Sequence, residues 1–170
     1  MEKTLTKKKL EEIQQIDHFR KTMMLFEKQI LEIDGSYGDP ENPGRSKELN
    51  KINPLKHTFA DGLYIREIFM PKGQIISTGI HKKEHPYFVL KGDISVLTET
   101  GIERIKAPYT GITMPGTKRI IYMHEDTVWV TVHATDKKTV DETLNDVIAK
   151  DFDDPDISVE SMIKKLKIKK

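Results

Sequence analysis

Residues 73–92 read GQIISTGIHKKEHPYFVLKG, and residues 115–133 read PGTKRIIYMHEDTVWVTVH. Both runs alternate β-branched and aromatic residues with short turn formers, which is the pattern of strands rather than helices. The same punctuation extends outward. Asp61-Gly62 precedes Leu63–Met70, Pro71-Lys72-Gly73 precedes Gln74–Thr78, and Lys91-Gly92-Asp93 precedes Ile94–Thr98. Glu99-Thr100-Gly101 then precedes Ile102–Lys106, Pro115-Gly116 precedes Arg119–Met123, and His124-Glu125-Asp126 precedes Thr127–His133. Strands of roughly five residues at near-regular spacing, with no helical stretch of about 10–15 residues between them, predict an antiparallel sandwich or barrel. We place it at residues 58–135.

The flanks read differently. Leu10, Ile13, Ile16, Phe19, Met23, Phe26 and Ile30 recur at steps of three or four, which predicts an amphipathic helix within residues 1–34, capped by Thr4 or Thr6. Its apolar stripe packs on the barrel or on a neighbouring subunit. Ile13, Ile16, Met23 and Ile30 fit the core positions of a heptad and are the expected oligomer contacts, although Arg20 and Glu27 occupy the same seam. Residues 35–57 are dense in Gly, Pro and Asn and read as a linker, with residues 45–58 loop or short helix. Residues 136–170 form a helical tail: Val140, Leu144, Val147 and Ile148 on one short helix, then a second helix after Ser158.

Composition narrows the function classes. The 170 residues are 36% hydrophobic and 32% charged, with no cysteine and a net charge of +1. Disulfides, thiolate metal sites and a cysteine nucleophile are excluded together. A balanced charge gives no general attraction for nucleic acid, and the terminal lysines lack interleaved aromatics for base stacking. No apolar run approaches the ~18 residues of a membrane span, and the N-terminal stretch has no apolar signal core, so a cytoplasmic protein is expected. Acids at 151–156 lack calcium-loop spacing, and no serine lies on a nucleophile elbow.

Chemistry concentrates on one strand. His81, Lys83, His85 and Tyr87 share a face by the two-residue period, so the two imidazoles stand at most ~13 Å apart by the ~3.3 Å rise. Two neutral imidazoles are an incomplete ligand set for a divalent metal, and a third donor has to come from a neighbouring strand. Glu84, His124, His133, Glu67 and Glu103 are the candidates.

Residues 73–92 resemble the first conserved motif of the cupin superfamily, the small jelly-roll barrels. Counted back from Gly92, its glutamate position is His85, its second histidine is His81 and its first falls on Gly79. Met114-Pro115-Gly116-Thr117-Lys118-Arg119 resembles the second motif, with Arg119 near its histidine. Thr98–Gly101, Pro115–Arg119 and His124–Trp129 are similar to short cupin-like proteins of tailed bacteriophages, in which a histidine often stands at the place of Lys83. The resemblance implies a mainly β, antiparallel jelly-roll barrel with an N-terminal helical arm and a C-terminal helical tail. It also implies a phage-encoded homo-oligomer, free or in a virion.

Three functions follow. A non-catalytic binding protein would use His81, Lys83, His85, Tyr87 and Arg119 as a basic pocket for a small anion. An assembly protein would contact itself or virion proteins through its helices. A metal-dependent enzyme would hold Zn, Fe, Mn or Ni on His81 and His85. Binding or assembly without catalysis is the expectation, and the enzyme is the alternative.

Overall fold

The computed structural model describes residues 6–34, 36 and 47–168, so Thr4, linker residues 35 and 37–46, and the last two lysines lie outside the described residues. The N-terminal helix α1 (Lys7–Leu31) starts at Thr6, whose hydroxyl accepts from the Lys9 amide. A short helix α2 (Lys47–Ile52) follows, then ten strands: β1 (Leu55–Ala60), β2 (Leu63–Met70), β3 (Ile75–Ser77), β4 (Ile80–His81), β5 (His85–Lys91), β6 (Asp93–Thr98), β7 (Gly101–Lys106), β8 (Tyr109–Thr113), β9 (Ile120–Met123) and β10 (Thr127–Ala134). Helix α3 (Val140–Val147), strand β11 (Ile148–Ala149) and helix α4 (Val159–Ile168) complete the chain.

Two antiparallel sheets face each other, ordered β1-β2-β10-β5-β8 and β3-β9-β6-β7, and β11 pairs with β4. This is the antiparallel barrel that the turn punctuation predicts, in the jelly-roll form that the resemblance implies, with helices at both ends. The barrel begins at Leu55, ahead of the expected 58, because Leu55–Ala60 pairs in full with β2 despite its weak pattern. β1 has almost no buried side and β8 alternates over only five residues, so neither pattern stands out in the sequence. The loop or short helix expected over residues 45–58 is α2 followed by the start of β1, and β8 is a strand that the turn punctuation does not mark.

Inward positions obey the two-residue period. Tyr87 and Val89 of β5, Ile94 and Val96 of β6, and Trp129 of β10 meet in one core with Met70, Ile105, Ile121 and Met123. Tyr87 stacks on Trp129 with ring centroids 4.4 Å apart and planes 8° from parallel, a pair contributing about 1 kcal/mol beyond its buried area. Gly92 joins β5 to β6 at φ +110, and a Cβ there would lie 2.8 Å from the Thr127 Cα. Only glycine fits that turn.

Helix α1 docks on the chain's own barrel. Ile13 and Met23 are buried within the chain itself, the first of the two expectations for this stripe; Ile16 and Ile30 are half-buried. The two charges that looked wrong for a coiled-coil seam are the anchors. Arg20 is buried, donates to the Ile157 carbonyl at 2.7 Å and sits over the Phe152 ring. Glu27 pairs at 2.8 Å with Lys118, which is 3% exposed and also donates to the Thr78 carbonyl. Among the described residues no helix is long and apolar enough to cross a membrane.

Candidate metal centre

Three strands bring three imidazoles together at one end of the barrel. His81 closes β4, His85 opens β5 and His133 lies near the end of β10. The β5–β10 register pairs Tyr87 with Thr131, and its continuation sets His85 opposite His133. Their ring centroids are 4.0 Å apart; those of His81 and His85 are 4.4 Å apart, and those of His81 and His133 5.9 Å. One nitrogen from each lies within 4.8 Å of the others. Three nitrogens at ~2.1 Å from one tetrahedral ion stand ~3.4 Å apart, so the widest separation has to close by up to about 1.4 Å, shared between two rings, to bring the set onto one ion.

The nitrogens are prepared as ligands. His81 Nδ1, His85 Nε2 and His133 Nδ1 are buried without a hydrogen-bond partner, a costly condition for a polar atom unless something else satisfies it. His85 Nδ1 lies 3.0 Å from the Lys83 carbonyl. A carbonyl only accepts, so Nδ1 carries the proton and Nε2 presents its lone pair to the cluster, the arrangement that orients metal-bound histidines. Burial, then the neighbouring positive partners, hold all three imidazoles neutral: His85 is lowered to about 4, His133 to about 3, and His81 well below its ordinary value. Neutral imidazole is the metal-binding form.

Behind the histidines is a cavity of about 120 Å³. Arg66 and Arg119, Ser77 and Thr131 supply its polar wall, and Ile68, Ile121, Leu144 and Val147 much of its apolar one. Ser77 Oγ and Thr131 Oγ1 are also buried without a partner. Arg119 donates to Thr113 Oγ1 at 3.0 Å and lies over the Tyr87 and Trp129 rings. The tail covers the cavity: β11 pairs with the His81 strand, and Ile148 fills the space beside Gly79, where a Cβ would meet its side chain at 3.2 Å.

Of the residues predicted for the pocket, His81, His85 and Arg119 converge here, with Tyr87 beneath Arg119. Lys83 does not. The chain bends between β4 and β5, and the Lys83 ammonium turns outward to Asp146 at 2.7 Å, which corrects its expected place in the pocket. The candidates for third ligand resolve in favour of His133. Glu84 and Glu103 are exposed, and His124 is held on the other sheet by Ser95 at 2.8 Å and Arg104 at 2.7 Å. His57, without a partner in the sequence reading, has its Nδ1 2.7 Å from the hydroxyl of buried Tyr64. Arg66 and Tyr64 were missed, although both stand at the inward parity of β2 with Ile68 and Met70.

Fold and site together define a jelly-roll barrel with an internal tri-histidine cavity walled by two guanidinium groups. No family model and no curated protein sequence matches the chain. Solved structures with a similar strand arrangement include cupin-domain proteins. The Schizosaccharomyces pombe Cnp3 cupin domain is 21% identical with a TM-score of 0.41, over 48% of this chain and 60% of that one. A cupin-2 domain protein of Shewanella frigidimarina is 6% identical with a TM-score of 0.40, over 48% and 79%. An acetylacetone dioxygenase of Acinetobacter johnsonii is 20% identical with a TM-score of 0.39, over 48% and 58%. At these values the likeness carries no argument about the site, which stands on this chain's own residues.

Proposed function

We propose that this protein is a metal-dependent barrel in which His81, His85 and His133 hold one divalent transition ion. The observation that carries the reading is the set of three buried, neutral imidazoles whose partnerless nitrogens converge. An all-imidazole set suits Zn, Fe, Ni or Cu better than the oxygen-seeking Mg or Ca. Three protein ligands leave a coordination position for a small molecule, the arrangement of catalytic rather than structural metal sites. Bound there, the ion would supply Lewis acidity or an activated water. The chain's own part is to orient His85 through the Lys83 carbonyl, to exclude water with Leu144, Val147 and Ile148, and to place Arg66 and Arg119 on the same cavity. This moves the balance from the non-catalytic expectation toward the metal-dependent alternative.

Equilibrium dialysis against Zn, Mn, Fe(II) and Ni tests it. One equivalent of a transition ion retained by the protein and lost by a His81→Ala/His85→Ala variant is the expected result. Equal retention by the folded variant, or none by the parent, refutes the reading.

A second reading, self-assembly, is favoured by the free edges of the two sheets. Ile102 on β7 is 76% exposed, and Ile112 on β8 and Met114 just beyond it are also exposed. Apolar groups on unpaired edges invite pairing. Light scattering of the parent and an Ile102→Lys/Ile112→Lys variant checks this: a dimer or larger species that dissociates supports it, and a monomeric parent rejects it.

A further inference from the structure

Arg66 and Arg119 face the same cavity, yet none of its described lining residues is Asp or Glu. Arg119 is 6% exposed, with Thr113 and two aromatic faces as its partners. Arg66 is half-buried, and neither guanidinium forms an ion pair with an acid among the described residues; the pKa of each is lowered mainly by desolvation. Buried charges are ordinarily paired, because an unpaired one costs several kcal/mol of desolvation. The three imidazoles beside them are neutral and offset none of the charge of a divalent ion. The walls also hold two partnerless hydroxyls, Ser77 Oγ and Thr131 Oγ1. Positive charge, spare donors and an apolar floor therefore share one enclosed space.

We infer that the cavity takes a small dianionic carboxylate, one oxygen pair meeting a guanidinium and the carbon skeleton lying on the apolar wall of Ile68, Ile121 and Val147. The planar donor fork of arginine matches a carboxylate edge. A cavity of about 120 Å³ is somewhat smaller than the ~150 Å³ cavity that takes benzene, which suits a skeleton of a few carbons. The apolar wall separates this class from inorganic phosphate, which has no carbon to lay on it. Ser77 and Thr131 donate to the oxygens that the guanidinium groups leave free. For the ion's share of the charge the inference rests on the tri-histidine reading; for the two arginines it stands without it.

Calorimetric titration of the zinc-loaded full chain with malonate, its neutral diamide malonamide and orthophosphate separates the outcomes. Malonate is expected to bind at least 100-fold tighter than malonamide and tighter than orthophosphate. Arg66→Met and Arg119→Met should each weaken malonate binding tenfold or more, with zinc content unchanged by elemental analysis. Arg119→Lys keeps the buried charge without the fork and replaces Arg119→Met if that variant does not fold; it should also weaken malonate binding. Equal binding of malonate and malonamide, no malonate binding to protein carrying one zinc, tighter binding of orthophosphate, or indifference to the arginine variants overturns the inference and leaves the metal reading standing. If the protein retains none of Zn, Mn, Fe(II) and Ni, the metal reading fails and the same titration of the metal-free chain decides: malonate binding that the arginine variants lose supports the inference, and no binding overturns it.

Discussion

Lowering the pH from 7 to 5 should destabilise the metal-free protein by about 4 kcal/mol through His85 and His133 alone. Both are neutral in the fold, with pKa values lowered to about 4 and about 3, against ~6.5 in an unfolded chain. Between those limits the unfolded chain binds protons that the folded one refuses, so stability is full above about pH 6.5 and falls as the pH drops. At pH 5 each imidazole is 1.5 units below its unfolded value, at ~1.36 kcal/mol per unit, which gives about 2 kcal/mol per histidine. His81 is lowered in the same direction and adds to the loss. Urea unfolding at half-unit steps, monitored by the fluorescence of Trp129, reads the slope. His133→Leu should lose one proton's share of it. A free energy that is flat from pH 7 to 5, or the same slope in His133→Leu, refutes the claim that these histidines are buried and neutral.

Gly79→Ala should cost about 1–2 kcal/mol, because its Cβ would press on Ile148 at 3.2 Å, and Gly79→Ala/Ile148→Ala should recover part of that in a thermal melt. Glu27→Gln leaves the Lys118 ammonium buried and should cost about 3 kcal/mol by chemical denaturation, whereas Lys21→Ala on the exposed face of α1 should leave the denaturation midpoint unchanged. Excess EDTA at pH 7 should lower the melting temperature of metal-loaded protein, since an ion at 100 times its Kd stabilises by ~2.7 kcal/mol; His133→Ala should show a smaller shift.

The barrel was legible because turn formers and β-branched runs are local signals, and β2 begins and ends where its pattern does. β1 and β8 were not, since β1 is exposed along nearly its whole length and β8 is a five-residue strand with no apolar run. The site was half legible. His81 and His85 lie four residues apart and announce each other, whereas His133 reaches them only through the β5–β10 register, which no local signal encodes. Its parity with Trp129 and Thr131 was available and identifies the inward face. Lys83 shows the opposite failure: strict alternation placed it inward, and the bend before His85 turned it to solvent. Arg20 and Glu27 looked like flaws in a helix seam because their partners, Ile157 and Lys118, are more than ninety residues away in the chain.

The most direct test of the tri-histidine centre is a cobalt(II) titration of the parent and His133→Ala, followed by visible absorbance, since His133 is the ligand that only the fold supplies. One equivalent should bind the parent, with affinity at least about tenfold (~1.4 kcal/mol) weaker in the variant and an altered spectrum. Identical affinity and spectrum in a folded His133→Ala protein would contradict the centre as described.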